Sequence, residues 1–321
     1  MSPLRSFVTA GIAQRKIRKG TARIFSLSVS AIFILFFSLG SVRPAAAWSP
    51  LADRLTADGF ERSAVEALFA RTEVRLEPDA MADKIRALLR NRSTPDSMVA
   101  RLKQTIRRDY LSHRSVARAR SYIGENRAIL EEIDILYGVP KEIVVSILLI
   151  ETSLGKSTGN SRVFNRLASM AINNDLEAVR PHLGGELLTP ENEEFARRRC
   201  REKGEWAYGE LKALLRFAER NGIDPLDIRG SVYGAIGQCQ FMPSNVFAYG
   251  VDADHDGRID PFAKADALHS IANYLRGYGW RPGLDRDGRH RVIFGYNHST
   301  VYANTVLAVA EKLTDPGRPQ P

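Results

Sequence analysis

The sequence has 321 residues, 44% of them hydrophobic and 26% charged, which is ordinary for a globular protein that folds as one large domain or two small ones. Its formal charge of +9 suggests an acidic partner, but residues 1–47 hold seven basic groups (Arg5, Arg15, Lys16, Arg18, Lys19, Arg23, Arg43) and no Asp or Glu. The remainder carries 39 basic against 37 acidic groups, or +2, and nucleic-acid binding loses its main support.

The first 47 residues read as a targeting segment. A basic region runs to Arg23, an apolar stretch spans Ile24 to Leu39, and Ala45-Ala46-Ala47 precede Trp48, as in a cleaved secretory signal. An uncleaved membrane anchor is the alternative, because the apolar run of 16 falls just short of the roughly 17–25 residues of a spanning helix. No cysteine lies near the cleavage site to accept a lipid. Cys200 and Cys239 are the only cysteines, free to pair in an oxidising compartment or to remain as thiols.

From Leu51 to Tyr137 apolar residues recur at helical spacing, for example Val65, Leu68 and Phe69, then Ile85, Leu88 and Leu89. A further helix is expected from Asp96, with Met98, Val99, Leu102 and Ile106 on one side. Next comes Ile143 to Ile150, almost wholly apolar and ending on Glu151. Pro140 suits the first turn of a helix and Gly155 a C-cap. A helix apolar on all sides is buried. The macrodipole and desolvation both penalise a carboxylate in its last turn, so the pKa of Glu151 should rise. The plainer reading has Glu151 emerging into solvent or capping a loop.

The interval 173–205, with Pro181, Gly184-Gly185, Pro190 and Arg197-Arg198-Arg199 among many acids, reads as a solvated insertion carrying short helices, its charge run an exposed face. A helix resumes at Trp206 and runs to Arg220. Gly230 to Ser244 then holds three glycines among apolar residues, with polar Ser231, Gln238 and Gln240 set among them. That composition marks either a backbone passing close to something or a packing loop.

Asp252, Asp254, Asp256, Gly257, Arg258 and Asp260 fall at positions 1, 3, 5, 6, 7 and 9 of an EF-hand-like calcium loop, whose alternating oxygens can wrap a hard cation. Position 12, normally a bidentate Glu, is Ala263, so closure would need Asp260 or Asp266 in a different geometry. A self-capped turn rich in Asp is the alternative. Near the end, Tyr296-Asn297-His298-Ser299 precedes a helix with Tyr302, and such groups stack on and hydrogen-bond to sugars or simply pack in a core. The tail from Asp315 should be disordered.

Glu151-Thr152-Ser153-Leu154-Gly155, then Gly234 to Ser244 with Gln240-Phe241-Met242-Pro243-Ser244, the acid loop, Ala272-Asn273-Tyr274-Leu275 and Tyr296-Asn297-His298-Ser299 occur in the order found in the membrane-bound lytic murein transglycosylase B family, which this chain resembles over about residues 50–312. The resemblance implies a lysozyme-like, mainly α (α+β) fold: residues 48–314 as catalytic domain, with a helical lobe to about 138, a core beyond it and the insertion within that core. It implies a periplasmic enzyme that cleaves the bond from N-acetylmuramic acid to N-acetylglucosamine in peptidoglycan glycan strands without water, leaving a 1,6-anhydromuramoyl end.

Under that resemblance Glu151 is the single catalytic acid and base. Ser231, Gln238, Gln240, Tyr274, Tyr296, Asn297 and Tyr302 would contact substrate, and Asp252, Asp254, Asp256, Arg258 and Asp260 would hold a structural calcium. The chemistry itself needs no cofactor. A monomer is expected, working on glycan strands and alongside cell-wall assembly proteins. The chain departs from the family pattern at Cys239, where glycine is expected, and in the length of its charged interval. Most glycosidases need two carboxylates. A single one suffices if the muramoyl N-acetyl group stabilises the cation and the C6 hydroxyl attacks. The rival readings are a hydrolytic muramidase on the same fold and a non-catalytic glycan-binding scaffold, whose mark would be loss of Glu151.

Overall fold

The computed structural model describes residues 44–95, 97, 105–184 and 187–314. Most of the expected targeting segment, the tail from Asp315 and most of the helix expected from Asp96 lie outside the described residues; Ile106 is in no helix. The first helices are α1 (Pro44–Ala57), α2 (Arg62–Phe69) and α3 (Asp79–Arg92). After a 3-10 turn at Arg108–Leu111 come α4 (His113–Glu125), α5 (Arg127–Tyr137) and α6 (Lys141–Thr152). A two-residue strand β1 (Ser161–Arg162) leads into α7 (Val163–Ile172), the short α8 (Leu176–Val179) and the long α9 (Pro190–Asn221). Then follow β2 (Arg229–Gly230), α10 (Pro243–Tyr249), α11 (Lys264–Gly277), α12 (Arg286–Tyr296) and α13 (Thr300–Thr314).

Helix α6 is the axis of the core. Ile143 to Leu149 are all buried, each large aliphatic side chain contributing about 1.5–3 kcal/mol by leaving water. Helices α4, α5, α11 and α13 pack around it. By contrast α1 and α3 pack on α7, and α3 also on α9, so the segment expected to form one helical lobe divides between two sides of the molecule. Trp48, directly after the alanine triplet, is 2% exposed and stacks on Phe69 at 5.3 Å.

The interval 173–205 differs from its expectation. Its second half is no insertion of short helices but the start of α9, which runs unbroken for 32 residues. The physical signals are Pro190 in the first turn and a capping box between Thr189 and Asn192. Ala196, Cys200, Gly204 and Ala207 then keep one face buried. The charge run is an exposed lattice of ion pairs, Arg197 reaching Glu193 and Glu177, Arg198 and Arg199 reaching Glu202. Both cysteines are buried free thiols.

Candidate active site

The end of α6 is held from four directions. Ser153 and Leu154 both take left-handed φ, 55° and 67°, which costs a side-chain-bearing residue about 1 kcal/mol or more and persists only where surroundings enforce it. Glycine at 155 was expected to end the helix; Ser153 does, with its amide on the Leu149 carbonyl at 3.0 Å. Arg118 of α4 donates to both the Ser153 carbonyl and its Oγ at 2.9 Å. Tyr110 donates to the Ile150 carbonyl at 3.3 Å. Thr152 Oγ1 donates to the Gln238 carbonyl at 3.0 Å and accepts the Gly155 amide at 3.0 Å. These bonds satisfy carbonyls that a helix end leaves open and fix the turn carrying Glu151.

Burial pushes the Glu151 carboxyl up to about 7, opposed by the Tyr302 hydroxyl that faces it. Tyr302 is buried and its hydroxyl has no partner at full hydrogen-bond geometry among the described residues. Among the described residues, no carboxylate contributes to the titration of Glu151. The expectation of an acid raised by desolvation is met, and the expected second effect, the helix end, is not separately visible.

The glycine-rich stretch forms the opposing wall. Strands β1 and β2 pair antiparallel, Ser161 with Gly230, and a Cβ on Gly159 would strike the Gly230 carbonyl. Beyond β2 the chain closes into a tight loop, with the Ser231 amide on the Ala235 carbonyl at 2.8 Å and Ser231 Oγ accepting the Ala235 amide at 3.0 Å. Ile236 and Phe241 then exchange backbone bonds. Gln240 sits at φ 51° and its Nε2 donates to the Thr158 and Gly237 carbonyls at 3.0 and 2.9 Å, leaving its Oε1 as the free end of the amide.

The other named residues divide. Tyr296 lies near Glu151, donates to the Cys239 carbonyl at 2.5 Å and stacks parallel to Tyr302 at 6.4 Å; burial, with Glu151 and Cys239, pushes its phenol well above the ordinary range. Asn297 is exposed at the end of α12. Tyr274 is set behind this wall. It is 4% exposed, donates to the Gly295 carbonyl at 2.9 Å and packs among Phe241, Tyr249, Tyr278 and Tyr296, a buttress more than a contact surface. Gln238 is also a brace, its Nε2 on the Phe262 carbonyl at 2.6 Å, tying the acid loop to the site.

In that loop the carboxylates that converge are Asp252, Asp254 and Asp266, with ligand atoms within 4.8 Å of one another. Asp256, Arg258 and Asp260 of the expected set are not in this group. Asp256 accepts the Arg258 amide and Asp260 the Phe262 amide, as in the self-capped turn. Asp266, in the first turn of α11, supplies the closing acid that Ala263 does not. It accepts the Ala253 and Asp260 amides, and burial with repulsion from Asp254 and Asp252 raises its pKa. Three hard oxygen donors held together against mutual repulsion suit calcium. Arg118 and Tyr110 were missed as site residues and had no sequence signal; of the two acids named as alternative closures of the loop, Asp266 is the one that joins Asp252 and Asp254.

The family described as "Transglycosylase SLT domain" matches residues 44–289. The chain is 35% identical over 148 residues to membrane-bound lytic murein transglycosylase B of Escherichia coli strain K12, covering 46% of this chain and 34% of that protein; it thus spans about a third of the length of that curated relative. Among solved structures it is similar to Escherichia coli lytic transglycosylase Slt35 in complex with calcium (TM-score 0.60, 23% identity, 85% of this chain and 93% of that one). It is also similar to Pseudomonas aeruginosa SltB3 in complex with NAG-NAM-pentapeptide (TM-score 0.61, 22% identity, 86% and 81%). These structural likenesses establish the mainly helical fold.

Proposed function

The chain belongs to the transglycosylase SLT family, and from that premise we propose that it is a lytic transglycosylase of peptidoglycan in which Glu151 is the sole acid and base. The observation that carries this reading is a buried carboxyl raised to about 7 with no carboxylate acting on it. A neutral acid near physiological pH can protonate the glycosidic oxygen as the bond to the muramoyl C1 breaks. With no second carboxylate among the described residues acting on Glu151 to serve as nucleophile, the muramoyl N-acetyl oxygen stabilises C1. Glu151, now ionised, takes the proton from the C6 hydroxyl as that oxygen closes on C1. The proton count balances and no water enters.

Tyr302 faces the acid, and Ser231 Oγ and Gln240 Oε1 of the glycine-rich loop are the groups proposed to hydrogen-bond the substrate. Tyr274 and Gln238 shape the site from behind. Calcium, with which Slt35 forms a complex, would be held by Asp252, Asp254 and Asp266, where its charge would relieve their repulsion and stiffen the loop that Gln238 joins to Thr152. Its role is structural. Export by the N-terminal segment belongs to the same proposal, since cleavage before Trp48 leaves this buried residue in the fold.

Mass analysis of muropeptides released from purified cell wall tests the function. The expected ends are one water lighter than reducing muramic acid. Reducing ends alone would replace the transglycosylase with a hydrolase on the same fold.

A further inference from the structure

Outside this site, the cations Lys84 and Lys203 flank one indole, and among the described residues neither forms a salt bridge. Lys84 of α3 lies 4.6 Å from the centre of the Tyr233 ring and 5.7 Å from that of Trp206. Lys203 of α9 lies 5.1 Å from the same indole. Neither lysine makes a salt bridge, whereas the acids nearest in sequence are taken: Asp83 by Arg86 and Arg166, Glu202 by Arg198 and Arg199. Both lysines are half-buried. Burial lowers each ammonium below the usual lysine range, Lys84 further by Lys203 and Lys203 further by Arg199, with Glu202 opposing the shift of Lys203 only in part. Aromatic faces soften this cost, but a fold with nothing to bind there would gain by a single acid between the two.

The cluster also has a place. Tyr233 is two residues from Ser231, in the loop whose Ser231 Oγ accepts the Tyr233 amide at 3.3 Å. Arg166 fixes that loop from below through the Val232 carbonyl at 2.7 Å. Resting on the lytic reading above, we infer that Lys84 and Lys203, flanking Trp206 and Tyr233, bind a carboxylate of the peptide stem carried by a muramoyl residue in the cleft. Peptide stems bear free carboxylates along their length and at their end. Paired ammonium groups over two aromatic faces suit such an anion, with the aromatic surface covering the adjoining aliphatic side chains. Partial desolvation makes each bond to a carboxylate stronger than at an open surface.

The test compares strands with intact stems against strands stripped of them by an amidase, which leaves a free lactyl carboxylate on each muramic acid. In Lys84→Gln, and more so with Lys203→Gln added, the ratio of kcat/KM for stem-bearing over stripped strands should fall about tenfold; Lys84→Arg should retain most of it. An unchanged ratio in a double variant with wild-type Tm would overturn the assignment. A greater loss on stripped strands would overturn it in favour of the lactyl carboxylate. Co-sedimentation with the two kinds of wall repeats the comparison without turnover. It reads the lysines even if the wild-type protein were to release no anhydro-ended product, the result that would remove the enzymatic reading instead.

Discussion

Thr152 Oγ1 and the Gln238 carbonyl meet at 3.0 Å, joining the last residue of the catalytic helix to the glycine-rich wall. Because the Gln238 side chain also holds the Phe262 carbonyl, one residue connects the helix end, the wall and the acid loop. Thr152→Val keeps the shape but leaves the Gly155 amide and the Gln238 carbonyl without this partner. It should cost about 1–3 kcal/mol of stability and lower kcat more than it raises KM. Urea denaturation and steady-state turnover of glycan strands check both effects.

The titration of Glu151 fixes a pH signature. Its folded pKa of about 7 lies above its ordinary 4.5, so between these values the folded state holds a proton that the unfolded chain has lost. Stability from this group therefore declines as pH rises through that window and is level above it. Glu151→Gln should remove the decline, leaving the protein more stable above neutrality by on the order of 1–3 kcal/mol, and cut turnover at least ~100-fold. Wild-type kcat/KM should fall above the same pKa as the acid ionises. Tyr302→Phe, lacking the hydroxyl that lowers this pKa, should move the alkaline limb upward. Melting curves and rate profiles across pH decide each point.

Arg118 should behave as a positioning residue. Its two bonds to Ser153 hold a left-handed turn one residue beyond Thr152. Arg118→Ala should destabilise by about 1–3 kcal/mol and reduce kcat with little change in KM, while Arg118→Lys restores part of the loss. Equal falls in kcat and in binding would show that Arg118 acts on substrate and not on the turn.

What the sequence revealed follows which forces are local. The apolar run to Glu151 and the Pro140 start specify α6 through periodicity and proline, and its bounds came out as Lys141–Thr152. Its ending did not, because Ser153 takes φ 55° only under the grip of Arg118, 35 residues earlier. Likewise the start of α9 at Pro190 was hidden by its arginines, which look like solvated loop until paired with Glu177 and Glu193. The family resemblance placed Tyr274 at the substrate, yet packing against Tyr249 and Tyr278 buries it. Spacing identified the acid loop, but the convergence of Asp266 with Asp252 and Asp254 depends on how α11 begins.

Calcium should therefore act through Asp254, which is exposed and accepts only a long bond from the Asp256 amide at 3.3 Å. Micromolar to millimolar calcium should raise Tm in the wild type, and Asp254→Ala should abolish the gain while changing the metal-free Tm little. Without metal, the raised pKa of Asp266 makes stability fall as pH rises through it, and calcium should flatten that slope. Identical melting curves with calcium and with chelator would leave the loop as a self-capped turn.

The lone carboxyl makes the last prediction the most direct on mechanism. If Glu151 has no carboxylate partner, the nucleophile must come from the substrate, and the muramoyl C6 hydroxyl is the oxygen that closes a 1,6-anhydro ring. Wall in which that hydroxyl is O-acetylated should resist the enzyme, and removal of the acetyl group should restore release of anhydro-ended muropeptides. A hydrolase would use water as the attacking oxygen, so blocking C6 would slow it only through steric crowding. Digestion of O-acetylated wall to reducing muramic acid ends, with no anhydro product, would overturn substrate assistance. Glu151 would stand as the general acid even then, because its raised pKa arises from burial at the end of α6 and does not depend on which oxygen attacks C1.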